Sequence, residues 1–117
     1  MIDFSGVLVP LLTPFTDDMS AVSEVRLVRF IRRLMDRGAS GFVIGTDAGE
    51  FCTLSPSERK HVLELVMRET HNAVPVLVHM GTLFTMSALD IAQHAGRHGA
   101  RGVILMPPYY GRFTVEE

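Results

Sequence analysis

Cysteine occurs once in the 117 residues, as Cys52. No intramolecular disulfide can brace this chain, and the usage fits a reducing compartment. Positive charge is not in excess: the formal net charge is -2, with an isoelectric point near 6.2. The electrostatic footprint of a nucleic-acid binder is therefore missing. No apolar run approaches the roughly 20 residues of a membrane span. Met1-Ile2-Asp3-Phe4 shows neither a basic n-region nor a cleavable apolar stretch, so no secretory signal is read. What the chain does have is apolar content, at 47%, which is high for a free domain this small. Length argues for one domain, and the expectation is a soluble, cytoplasmic α/β protein with no nucleic-acid or membrane partner.

Hydrophobic periodicity then gives a regular alternation. Gly6 to Leu12 is a continuous apolar run of strand length, closed by Thr13-Pro14-Phe15 and followed by a polar turn at Asp17, Asp18 and Ser20. A helix is predicted from about Ser23 to Arg37. Leu27, Phe30, Ile31, Leu34 and Met35 form its apolar stripe, and Arg26, Arg29, Arg33 and Arg37 lie outward. Gly38 stops it. Phe42-Val43-Ile44 reads as the second strand, and Pro56 to about His71 as a helix burying Val62, Leu65, Val66 and Met67. Val74 to His79 is predicted as the third strand. Thr85 is expected to cap a helix carrying Leu89, Ile91, Ala92 and Ala95, and Gly102 to Met106 is the fourth strand.

Two units repeat: Arg37-Gly38-Ala39-Ser40-Gly41-Phe42-Val43-Ile44 echoes His98-Gly99-Ala100-Arg101-Gly102-Val103-Ile104-Leu105. Unbroken apolar strands imply cover on both faces, and strands alternating with helices imply right-handed parallel crossovers. The pattern suits either a doubly wound sheet or a barrel. Thr114-Val115-Glu116-Glu117 is itself a capping box, so the sequence reaches the first turn of a fourth helix.

The most informative segment is Thr46-Asp47-Ala48-Gly49-Glu50. It follows a buried strand and precedes Leu54-Ser55-Pro56-Ser57-Glu58, where Ser55 is an N-cap, Pro56 the first helical residue and Glu58 the closing member of a capping box. Loops at the carboxyl ends of parallel strands are where α/β folds place their ligands. The plainer reading is a tight turn with a surface acid.

Four motifs in order resemble the dihydrodipicolinate synthase / N-acetylneuraminate lyase family of Schiff-base aldolases. They are Gly6...Pro10...Thr13-Pro14-Phe15, Gly49-Glu50 followed by Leu54-Ser55 and Glu58, Gly99-Ala100-x-Gly102, and Pro107-Pro108-Tyr109-Tyr110. The resemblance implies a (β/α)8 TIM barrel. About 250 residues complete such a barrel, so residues 1–117 correspond to a single partial domain. That domain is the N-terminal half-barrel, with four parallel βα units ending at the start of the fourth helix.

The implied activity is a lyase or aldolase reaction on pyruvate-type 2-keto acids. In the family a lysine on a later strand forms an imine with the substrate, and a tyrosine on the strand before it relays protons. Neither position occurs here, and the one lysine, Lys60, lies on a helix. This segment alone is expected to be inactive. The implied site residues are Tyr110 and Asp47 as catalytic groups and Thr46, Ala48 and Gly49 as substrate contacts. Tyr110 matches a tyrosine that crosses a tight dimer interface, and Tyr109 its packing companion. Asp47 and Ala48 stand where the family commonly carries two hydroxyl residues. Glu50 is expected to tie down the loop, and Phe51 to line the entrance. No cofactor is implied.

Several other residues are read as structural. His79, at the end of the third strand, suits a hydrogen-bonded core or rim role. His94 and His98 have the i, i+4 spacing that can hold zinc, but no Glu or Cys nearby in sequence completes a site, so no metal is assigned. Cys52 is expected to pack. Three functions compete: half of a Schiff-base lyase, an inactive or truncated homologue serving as a structural or interaction module, and an unrelated phosphate-binding half-barrel. The last lacks a glycine-rich loop with a basic residue. Four strands in barrel curvature leave two bare edges, so a homo-oligomer (dimer or tetramer), or closure against a complementary half, is expected.

Overall fold

The computed structural model describes residues 3–107 together with Gly111, Arg112, Thr114 and Glu116. Its elements run β1 (Leu8–Pro10), α1 (Glu24–Asp36), β2 (Gly41–Ile44), two short 3-10 turns at Asp47–Gly49 and Phe51–Thr53, α2 (Pro56–Thr70), β3 (Val76–His79), α3 (Thr85–Arg97) and β4 (Gly102–Ile104). The four strands form one parallel sheet in the order β1-β2-β3-β4. Register is continuous across it: Val9 pairs with Phe42, Phe42 with Val76, and Leu77 with Gly102.

This order decides between the two architectures the sequence leaves open. A doubly wound sheet reverses direction at a switch point and carries helices on both faces. Here each crossover moves one strand onward in the same direction, and α2 packs against both α1 and α3. The thinnest dimension is 23 Å, enough for one sheet and one helix layer at about 10 Å each. The fold is the N-terminal half of a (β/α)8 barrel.

The core lies between sheet and helices. Leu27 and Ile31 of α1, Val62, Leu63, Leu65 and Val66 of α2, and Ile91 and Ala95 of α3 meet Phe42, Ile44, Val76 and Val78 of the central strands. Fully burying a side chain such as Leu27 contributes about 1.5–3 kcal/mol. β2 is buried along its whole length, as an unbroken apolar strand predicts. The outer strands differ: Val7, Leu12, Val103, Ile104 and Leu105 are exposed. Among the described residues β1 and β4 each have a single strand neighbour, so nothing covers their second side.

Helix ends follow local chemistry. The predicted repeat is physical: Gly38 and Gly99 have φ of +85° and +84°. Ala39 N–H donates to the Leu34 carbonyl at 3.1 Å and Ala100 N–H to the Ala95 carbonyl at 3.0 Å. Both are Schellman closures, which need a left-handed residue that glycine supplies without strain. The capping box of α2 also forms. Ser55 Oγ accepts from the Glu58 amide at 3.2 Å, and Glu58 Oε2 accepts from the Ser55 amide at 2.8 Å.

Three expectations are corrected. Thr85 is the first residue of α3 rather than its cap; Phe84 takes that position and offers no side-chain hydrogen bond. Leu89 is 45% exposed, and Ala88 is buried instead, because the face of α3 turned to the sheet runs through Ala88, Ile91 and Ala95. Strands β1, β3 and β4 are shorter than their apolar runs, spanning only Leu8–Pro10, Val76–His79 and Gly102–Ile104. Glu117 of the terminal capping box lies outside the described residues.

Removing the cap should be measurable. Ser55→Ala in the full protein should lower stability by about 1 kcal/mol in urea unfolding at neutral pH. Hydrogen bonds from the Ser55 hydroxyl, and then from its amide, hold the Glu58 carboxyl below its ordinary range. A depressed carboxylate stabilises the fold above its unfolded pKa and loses that contribution as pH falls through the folded value. The cost of Glu58→Gln should therefore shrink on acidification through the carboxylate range. A cost independent of pH would show that the carboxylate does not cap α2.

Candidate functional site at the carboxyl ends of the strands

Parallel pairing brings three loops to one end of the sheet: the segments after β1, β2 and β3. The first two are joined directly. Thr13, only 7% exposed, donates its Oγ1–H to the Gly49 carbonyl at 2.7 Å. That contact needs glycine, because a Cβ on residue 49 would lie 2.8 Å from the Leu11 carbonyl oxygen. Gly49, read from sequence as a substrate contact, is thus the point where the loop is seated on the preceding strand.

The loop itself is a 3-10 turn. Gly49 N–H donates to the Thr46 carbonyl at 2.9 Å and Glu50 N–H to the Asp47 carbonyl at 3.0 Å. Glu50 takes a left-handed conformation at φ +56°, which redirects the chain into the second turn. Its carbonyl accepts from the Thr53 amide at 2.9 Å and from Thr53 Oγ1 at 2.8 Å. The Glu50 carboxylate was the expected tie; backbone groups do that work, and among the described residues its side chain is exposed without a hydrogen bond. Asp47 and Ala48 are exposed at the tip. Their amides occupy the first two positions of the turn, where no partner exists within the helix, and among the described residues they meet no backbone acceptor. Thr46 Oγ1 is buried without a hydrogen-bond partner, an uncommon condition in a folded interior.

Beneath the loop lies a second junction that the sequence reading missed. Arg59, 9% exposed, donates from its guanidinium to the His79 carbonyl at 2.6 Å and to the Gly81 carbonyl at 2.9 Å. It stands 5.5 Å over the Phe51 ring. His79 Nδ1 lies 2.7 Å from the Gly45 carbonyl, so Nδ1 carries the proton. The imidazole meets Phe51 edge-on with 4.8 Å between ring centroids. Hence His79 has the hydrogen-bonded interior role expected of it, whereas Phe51, at 5% exposed, supports the loop from below. Arg59 was findable: it sits three, four and seven residues before Val62, Leu63 and Val66, on the buried face. Cys52, expected to pack, is exposed.

Thr46, Asp47, Ala48 and Gly49 are therefore brought together at the strand ends, with Thr13 and His79 as supports. Tyr109 and Tyr110 lie outside the described residues. Lys60 is remote, on α2, with Nζ 2.5 Å from Asp90 Oδ2 of α3. A charged groove of about 670 Å³, open to solvent, lies on α1 and α2 and is lined by Arg29, Arg32 and Glu69. A cavity of about 390 Å³ lies beside Thr13 and Glu50, and one of about 420 Å³ beside Phe51, Arg59 and Gly81.

Known proteins share this fold. The sequence matches the dihydrodipicolinate synthetase family over residues 3–117. It is 36% identical over 107 residues to a 4-hydroxy-tetrahydrodipicolinate synthase from Methanopyrus kandleri, covering 92% of this chain and 36% of that protein. It is 35% identical over 112 residues to an N-acetylneuraminate lyase from Shigella boydii, covering 96% and 37%. Among solved structures, a prophage protein of the dihydrodipicolinic acid synthase family from Escherichia coli K12, in complex with pyruvate, superposes with a TM-score of 0.88 at 29% identity. That match covers 95% of this chain and 37% of the other. The chain spans little more than a third of the length of these relatives, and it belongs to the dihydrodipicolinate synthetase family.

Proposed function

We propose that the full protein is a lyase or aldolase-type enzyme acting on a pyruvate-type 2-keto acid. A lysine in the portion of the barrel beyond this chain would form the Schiff base. The observation that carries this reading is the group of unsatisfied polar atoms at the strand ends: the buried Thr46 hydroxyl and the open amides of Asp47 and Ala48. Donors without acceptors suit a carboxylate, which offers about four lone-pair sites. The loop is preformed, held by Thr13 on one side and by the Arg59–His79–Phe51 junction below, so little ordering cost attends binding.

The roles follow from the chemistry. Thr46 and the amide of Ala48 form the side of the site that receives the substrate carboxylate, and Gly49, whose own amide donates to the Thr46 carbonyl, lets the chain pass close beside it. Asp47 is a proton-transfer candidate in place of the family's usual hydroxyl. Tyr110 completes the relay from a neighbouring subunit, since a phenol can donate and accept in one hydrogen-bond chain. The protein works as a dimer or tetramer in the cytoplasm and needs no cofactor. An inactive homologue is the second reading, favoured by Asp47 and Ala48, which lack the two hydroxyls.

Magnitudes bear on that choice. A carboxylate held about 4 Å from Asp47 would be repelled by about 4 kcal/mol at an effective dielectric near 20, but by only about 1 kcal/mol in a water-like setting. The exposed setting of Asp47 in residues 1–117 corresponds to the smaller figure, at which the charge weakens binding without forbidding it.

Reduction with borohydride in the presence of pyruvate should leave a covalent adduct on a lysine of the full protein, read by mass spectrometry. No adduct at saturating pyruvate would remove the Schiff-base reading and favour the inactive homologue. Asp47→Asn should lower the KM for the keto acid by about fivefold at low salt, and an unchanged KM would place the Asp47 charge away from the carboxylate. Expressed by itself, the segment of residues 1–117 should self-associate or fold poorly, because the bare edges of β1 and β4 remain. Size-exclusion chromatography showing a cooperatively folding monomer would contradict this.

A further inference from the structure

Packing of α3 against α2 assembles a cluster that no single stretch of sequence contains. His94 and His98 lie one turn apart on α3, and Glu64 reaches them from α2. Glu64 Oε1 is 2.9 Å from His94 Nε2 and 3.9 Å from His98 Nε2. One candidate ligand atom from each residue falls within 4.8 Å of the others. We propose that Glu64, His94 and His98 bind a divalent transition-metal ion of the zinc class, which staples α2 to α3 on the outside of the barrel.

Three observations support a metal over a simple ion pair. First, the His98 Nδ1 lies 2.9 Å from the His94 carbonyl oxygen. A carbonyl only accepts, so Nδ1 carries the proton and Nε2 presents a lone pair, the usual arrangement of a metal-ligating imidazole. Second, His94 Nε2 is buried and has no hydrogen-bond partner. Glu64 Oε1 lies 2.9 Å from it. Third, a neighbouring cation is already engaged: Lys60, one turn before Glu64, pairs with Asp90, one turn before His94. It does not compete for the Glu64 carboxylate.

The ligand set also fits by size. Two imidazoles and a carboxylate suit zinc and its neighbours rather than magnesium or calcium. Ligand atoms around tetrahedral zinc lie about 3.3 Å apart, given metal–ligand distances near 2.0–2.1 Å, so the wider separations must close by up to about 1.5 Å and the His94–Glu64 contact must open slightly. Glu64 and His98 have the freedom to do so, with side chains 45% and 38% exposed. A water would take the fourth position. The rings of His94 and His98 stack at 4.0 Å between centroids, which sets both Nε2 atoms within reach of one carboxylate.

The test uses the full, tag-free protein. Calorimetric titration with zinc should show one ion bound per chain, cobalt(II) should give the visible absorption of a low-coordinate site, and zinc should raise the thermal midpoint. Glu64→Gln and His98→Gln alter exposed side chains and leave the fold intact. Each should weaken zinc by at least the roughly 10- to 100-fold that loss of a mere supporting partner costs, and the double variant should lose the thermal shift. Absence of stoichiometric zinc binding, or equal affinity and thermal shift in the variants, would overturn the site.

Discussion

The parallel pairing of β2 with β1 on one side and β3 on the other is the constraint on which the rest depends. It fixes register, and register places the ends of three loops within hydrogen-bonding distance. Residues 13 and 49 meet because Val9 lies opposite Phe42. Gly45 and His79 meet because Ile44 lies opposite Val78. A slip of one residue would turn each alternate side chain to the other face. It would separate the loops as well.

Two networks then act at different depths. The upper one, Thr13 on Gly49, sets where the loop of residues 46–50 lies. The lower one, Arg59 reaching the carbonyls of His79 and Gly81, joins the start of α2 to the loop after β3. Arg59 is a buried cation whose donors meet backbone carbonyls, an arrangement in which desolvation is offset by charge-assisted hydrogen bonds. The result is a rigid floor under an exposed tip. Two polar atoms, Thr46 Oγ1 at the strand ends and His94 Nε2 in the helix layer, lie buried without partners, and each marks a place suited to a ligand.

Much of the architecture was legible in sequence because it rests on short-range rules. The three-four spacing of Leu27 and Ile31, the Ser55-Pro56-Glu58 start and the glycines at 38 and 99 each specify a local conformation. The structure agrees with all of them. Errors arose where a distant neighbour decides the outcome. Leu89 satisfies helical spacing yet faces outward, because the direction of α3 is set by its packing. Val103 and Ile104 have the pattern of a covered strand but are exposed, since cover depends on what lies beside β4. Glu50 was misread for a related reason: which group ties a turn depends on backbone angles that composition does not state.

The amino-acid sequence by itself determined the order and type of the elements and the family, since each is written in patterns a few residues long. Tertiary structure alone decided which side chains meet across long separations: Thr13 with Gly49, Arg59 with His79, and Glu64 with His94 and His98. The physical reason is that such contacts depend on strand register and helix rotation, which emerge only when the whole sheet and its helix layer pack. His94 and His98 looked like an incomplete pair along the chain. The third ligand was one helix away.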